Sequence, residues 1–145
     1  MKIQRIDHVG IIVNDLAAAK AFFVNLGLEV QGEGDVEGEW VDKVVGLENV
    51  KSAIVTMGVP GAEAALELIQ FLNPSAEGSV EQLPANRLGI RHIAFVVDDI
   101  EAVVATLKES GAEPFNEIQN YEGAYKLCYI RGPEGIILEL AEQLR

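Results

Sequence analysis

The chain contains only two histidines, His8 and His92, and each stands inside a run of apolar residues. Two glutamates are placed in the same way. Glu67 lies between Leu66 and Leu68, and Glu139 lies between Leu138 and Leu140. An ionised carboxylate within an apolar strand is costly unless it is paired or bound to a metal. Two imidazoles and two carboxylates form a donor set suited to a divalent transition ion, with room left for water or substrate. Such an ion polarises carbonyl oxygens and lowers the pKa of bound water. Taken singly, each of these residues reads as an ordinary structural side chain. Their matched placement changes that.

The match arises from an internal repeat. Ile6-Asp7-His8-Val9-Gly10-Ile11-Ile12-Val13-Asn14-Asp15 returns as Ile90-Arg91-His92-Ile93-Ala94-Phe95-Val96-Val97-Asp98-Asp99. His92 follows His8 by 84 positions, and the same step separates Asp15 from Asp99 and Gly27 from Gly111. The β-branched opening of each copy predicts a strand. Asp15 and Asp99 stand where a helix N-cap belongs. Ala19, Phe22, Phe23 and Leu26 then form one apolar helical face. Ile100, Val103, Val104 and Leu107 form the other. Gly27 and Gly111 stand where such helices end.

Later strands are predicted over 50–58 and 64–71 in the first half, and over 125–130 and 135–141 in the second. Turns are expected at Gly58-Val59-Pro60-Gly61 and at Arg131-Gly132-Pro133-Glu134-Gly135. Glu139 follows Glu67 by 72 positions, a shorter step that reflects the longer loop of the first pair. The segment 33–49 fits no regular pattern, and 40–45 reads as either a short helix or an irregular flap. The expected organisation is α+β: one domain of two β-α-β-β-β modules, about 1–73 and 88–145, joined by a linker over 74–87. Alternation puts His8 on the strand face of Ile6, Gly10 and Ile12. It puts His92 on the face of Ile90, Ala94 and Val96.

Composition narrows the partners. A net charge of −12, with 11 Lys and Arg against 23 Asp and Glu, argues against nucleic acid. No apolar stretch has the length of a membrane span, and the N-terminus lacks a signal-like apolar region. A single cysteine, Cys128, fits a reducing compartment. A cytoplasmic protein acting on a small molecule is expected.

These motifs resemble the vicinal oxygen chelate superfamily, which includes glyoxalase I, methylmalonyl-CoA epimerase, extradiol dioxygenases and antibiotic resistance proteins. The resemblance is carried by Asp7-His8-Val9-Gly10, Leu66-Glu67-Leu68, Arg91-His92-Ile93-Ala94-Phe95 and Pro133-Glu134-Gly135-Ile136-Ile137-Leu138-Glu139-Leu140. It implies paired βαβββ modules forming a cupped, mostly antiparallel sheet around a metal. His8, Glu67, His92 and Glu139 would be the ligands of one divalent ion (Ni, Co, Mn, Zn or Fe), and a homodimer is implied. Gly132 departs from the family, where Asp often precedes the proline, and segment 40–50 departs from the glyoxalases.

Four ligands point within the family to glyoxalase-type lyase or isomerase chemistry, with Glu139 and Glu67 as candidate bases. An acyl-CoA epimerase is the alternative. Dioxygenases use one carboxylate fewer. A drug-binding protein without turnover is the alternative of another class. Glu48, Arg91, Tyr125, Lys126 and Arg131 are candidate substrate contacts, the cations through charge-assisted bonds to an anionic tail. Tyr121 and Trp40 are candidate lining residues.

Overall fold

A computed structural model describes all 145 residues, Met1–Arg145, with three helices and nine strands in an α+β fold. Two compact units divide the chain, Met1–Gly78 and Ser79–Arg145. Most of segment 74–87 therefore goes with the second unit. A Cβ on Gly135 would collide with the Glu81 carbonyl oxygen, so that turn and the segment before the second repeat lie in direct backbone contact.

The first unit runs β1 (His8–Ile12), α1 (Leu16–Leu26), β2 (Glu29–Glu37), α2 (Glu39–Val45), β3 (Lys51–Gly58) and β4 (Ala65–Asn73). Its sheet has the order β1-β4-β3-β2, with β1 parallel to β4 and the other pairs antiparallel. The second unit runs β5 (His92–Val96), α3 (Ile100–Glu109), β6 (Glu113–Pro114), β7 (Gln119–Tyr121), β8 (Tyr125–Arg131) and β9 (Ile137–Gln143). Its order is β5-β9-β8-β6, with β7 also pairing β8, and β5 is parallel to β9.

Helices α1 and α3 each begin where a carboxylate accepts an otherwise unpaired N–H, whereas α2 starts at Gly38 without a side-chain cap. Asp15 accepts from Ala18 at 3.0 Å and Asp99 from Ala102 at 3.1 Å. A second cap comes from the last strand of each unit. Gln70 accepts from the Leu16 N–H at 3.1 Å, and Glu142 accepts from the Ile100 N–H at 2.9 Å. Gln70 and Glu142 are 72 positions apart, the step that separates Glu67 from Glu139. After α1, Gly27 adopts a left-handed φ of 119°, which a side chain would strain.

One face of each sheet is sealed by its helix. Phe23, Met57 and Leu68 are fully buried in the first unit, as are Ile100, Leu107, Ile130, Leu138 and Leu140 in the second. The opposite faces carry the histidines and stay partly open.

Segment 33–49 resolves into the end of β2, followed by the short helix α2. The strand escapes sequence patterning because it lies at the sheet edge and is exposed along nearly its whole length. Its acidic residues discourage further strand pairing there. The matching edge of the second unit is broken into β6 and β7, with Pro114 ending the first piece. No helix is long and apolar enough to cross a membrane.

Stability should follow this division between core and caps. Leu138→Ala should cost about 2–5 kcal/mol in chemical denaturation, because it opens a cavity in a sealed face. Asp99→Ala should cost only about 0.5–2 kcal/mol, the value of one cap. Equal losses would contradict the buried position of Leu138.

Candidate metal centre

Parallel pairing of the first and last strands sets the geometry in each unit. Gly10 pairs with Glu67 across β1 and β4, and His8 pairs with Ala65. Ala94 pairs with Glu139 across β5 and β9, and His92 pairs with Ile137. Each histidine therefore sits diagonally from its glutamate on one sheet face. His8 Nε2 lies 3.3 Å from Glu67 Oε2, and His92 Nε2 lies 3.7 Å from Glu139 Oε1.

Each ring holds a second partner on its other nitrogen. His8 Nδ1 is 2.8 Å from Asp7 Oδ2, and Asp7 also accepts from Arg5 at 3.1 Å. His92 Nδ1 is 3.3 Å from the Tyr129 hydroxyl, and the two rings lie tilted at 40° with centroids 5.0 Å apart. Both Nε2 atoms are thereby turned toward their carboxylates. Donation of a hydrogen bond to Asp7 holds the His8 imidazole above its ordinary range, aided by the charge of Glu67 and opposed by partial burial. His8 and then Arg5 hold the Asp7 carboxyl below its usual value.

These donor atoms suit a divalent ion. Two donors each about 2.1 Å from one ion, at tetrahedral or octahedral angles, sit roughly 3.0–3.4 Å apart. The first pair falls in that range and the second is a few tenths of an ångström wider. Imidazoles oriented through their far nitrogen are the usual support for metal ligation. Each pair offers one imidazole nitrogen and one carboxylate oxygen.

Tyr129 escaped sequence reasoning. It stands directly opposite Glu139 in the β8–β9 register, as Thr56 stands opposite Glu67. Only that register reveals it. Asp7 belongs to the repeat motif, but its counterpart is Arg91, so the two units support their histidines differently.

The candidate substrate contacts are scattered. Glu48 sits in the loop after α2. That loop is fixed by Asp42, which accepts from the Asn49 and Val50 N–H groups, and by Asn73, which donates to the Asn49 carbonyl. Asn73 is six residues along β4 from Glu67, roughly 20 Å of strand. Glu48 is therefore remote from Glu67 within its own unit. Lys126 faces the helix side of β8 and pairs with Glu101 at 2.8 Å. Arg91 precedes β5, with its Nε buried and without a partner. Tyr125 lies opposite Tyr121 on the Glu139 face, at its far end. Arg131 lies on the Glu139 face too, its guanidinium 4.6 Å from the Phe115 ring centre. Trp40 lies exposed on α2.

Asp99, Glu101 and Glu142 form another carboxylate group, with oxygens within 4.8 Å of one another. Each already has a partner: the Ala102 N–H, Lys126 and the Ile100 N–H, respectively. Helix capping and one ion pair account for it.

The Asp7–His8 contact is open to a direct test in metal-free protein. Asp7→Asn removes the charge that favours the imidazolium, so the His8 pKa should fall toward about 6.5. Ring-proton NMR against pH reads this, with the two histidines distinguished by a His92→Gln variant. Any stability from the contact is present below the ordinary imidazole value and is lost as pH rises through the raised one. An unchanged His8 titration would break the assignment.

Comparison with known proteins agrees with this fold. Residues 7–129 match the family described as Glyoxalase/Bleomycin resistance protein/Dioxygenase superfamily. The crystal structure of a glyoxalase family protein from Bacillus cereus superposes with a TM-score of 0.95 at 41% identity, covering 100% of this chain and 97% of that one. An ethylmalonyl-CoA/methylmalonyl-CoA epimerase of Cereibacter sphaeroides is 35% identical over 129 residues, 85% of this chain and 83% of the relative. An uncharacterised Bacillus subtilis protein is 29% identical over 142 residues, 97% and 98% of the two chains. Matched over residues 7–129 and built from two β-α units that each close with an antiparallel run of strands, the chain belongs to the glyoxalase/bleomycin resistance protein/dioxygenase superfamily.

Proposed function

We propose that His8, Glu67, His92 and Glu139 together hold one divalent ion, and that the protein is an enzyme moving a proton on carbon beside a carbonyl. The observation that carries this reading is the equivalence of the two pairs. Both have the same diagonal register, both bring an imidazole Nε2 near a carboxylate, and both engage Nδ1 elsewhere. A bound divalent ion would polarise the carbonyl oxygen and stabilise negative charge as it develops.

Glu139 and Glu67 are the carboxylates on these faces that can take the proton. Return of the proton to a neighbouring atom gives lyase or isomerase chemistry of the glyoxalase type. Return to the other face of the same carbon gives epimerisation. The 35% identity to an ethylmalonyl-CoA/methylmalonyl-CoA epimerase favours testing 2-substituted acyl-CoA esters alongside 2-oxoaldehyde hemithioacetals. The reading includes a homodimer, the commonest closed symmetry of soluble oligomers, and a reducing, cytoplasmic setting consistent with one cysteine.

Chelator-treated protein should take up about one equivalent of Ni, Co, Mn, Zn or Fe per chain, measured by elemental analysis after dialysis. His92→Ala should lose tight binding. Full occupancy in both His8→Ala and His92→Ala would sink the site.

Glu139→Gln separates ligation from proton transfer. Glutamine keeps the size and one coordinating oxygen but cannot serve as a base. The variant should keep much of its metal and lose about 10²–10⁴ in rate. Solvent deuterium should enter the wild-type product at the carbon beside the carbonyl. A metal-loaded variant with the wild-type rate would move the base to Glu67.

A further inference from the structure

Alternation along β5, β9 and β8, and the register between them, arrange the His92 face of the second sheet in two rows. His92, Ile137 and Arg131 form one row, and Ala94, Glu139 and Tyr129 the next. Arg131 is therefore two strand spacings from His92, roughly 9–10 Å. It is the only lysine or arginine that the strands β5 to β9 present on this face, since Lys126 projects from the other.

The Arg131 side chain is held in place without being neutralised. Its guanidinium lies 4.6 Å from the Phe115 ring centre and donates to the Gly135 carbonyl at 3.4 Å. Phe115 in turn packs edge-on against Tyr129 at 5.8 Å, and Tyr129 reaches His92. Arg131 is thus joined to His92 through a chain of contacting rings. Glu113 opposes it across β6 and β8 but forms no ion pair with it. In contrast, Arg5, Lys20, Lys43 and Lys126 each pair with a carboxylate. A partly buried guanidinium stacked on an aromatic ring keeps donors free for a planar anion.

The repeat breaks at this position. Tyr129 matches Thr56, each directly opposite its glutamate, so Arg131 matches Gly58 two residues further along. A side chain at Gly58 would meet Gln31, with the nearest atom 2.8 Å from a Cβ. The His–Glu pairs are alike in the two halves, whereas the cation is present in one only.

We propose that Arg131 is a specificity-determining residue that binds an anionic group of the substrate. The substrate class is then a carbonyl compound carrying a carboxylate or phosphate that reaches about two strand spacings from His92. This rests on the proton-transfer reading above for the word substrate, but the anion site itself is testable without metal or turnover.

The test uses chelator-treated full-length protein, with succinate and inorganic phosphate as anions and succinamide as the neutral control. The Arg131 Nε–H resonance and the Phe115 ring signals should shift saturably with at least one anion, and not with succinamide. Succinate alone would identify a carboxylate, and phosphate alone a phosphate ester. Arg131→Gln should weaken that binding about ten-fold or more, the loss expected for charged hydrogen bonds. Phe115→Leu keeps the cation but frees it, and should weaken binding less. Thermal melts of both variants verify folding. Two results overturn the proposal: no saturable shift with either anion in the wild type, or wild-type affinity in a folded Arg131→Gln. Metal occupancy of the wild type, measured separately, reports on the ion site alone, so the two failures are distinguishable.

Discussion

Parallel pairing of the first and last strands is the constraint on which the rest depends. In β1–β4 and β5–β9 it places a glutamate diagonally from a histidine, two residues along the partner strand. Because side chains alternate with a period of two, a slip by one residue would send Glu67 or Glu139 into the helix-packed core. Leu66, Leu68, Leu138 and Leu140 prevent that slip, since each is buried beneath its helix. Hydrophobic burial on one face thus fixes the positions of ionisable groups on the other.

The same last strands also anchor the helices. Gln70 and Glu142 each lie three residues beyond the site glutamate and accept from the first N–H of α1 or α3. Even spacing would put residues three apart on opposite faces, and that is what is needed. The glutamate turns to the open face, while the capping side chain turns to the helix. One short segment, Glu67–Gln70 or Glu139–Glu142, therefore serves both layers of its unit.

Around this repeated frame the two halves diverge in their supporting residues. Asp7 orients His8 in one and Tyr129 orients His92 in the other. The carboxylate partner holds the His8 imidazole above its ordinary range, whereas the partner of His92 is a phenol hydroxyl. Gly58 and Arg131 occupy matching strand positions with opposite properties. The pairs are alike, and their surroundings differ.

The sequence alone determined the repeat, the α+β class, the helix caps at Asp15 and Asp99 and the four polar residues on apolar strands. These are local matters of periodicity, capping chemistry and the cost of placing charge among leucines. It did not determine β2, an exposed edge strand without alternation, or the choice between helix and flap for α2. Nor did it separate the candidate cations. Lys126 and Arg131 are near neighbours in sequence, but alternation puts one against Glu101 and the other beside Phe115 on the site face. Glu48 looked available until the loop that carries it was tied by Asn73 to the far end of β4. Tyr129 had no local signature at all. Which residue stands across from which is decided by register between strands distant in sequence, and that pairing exists only once the sheets have formed.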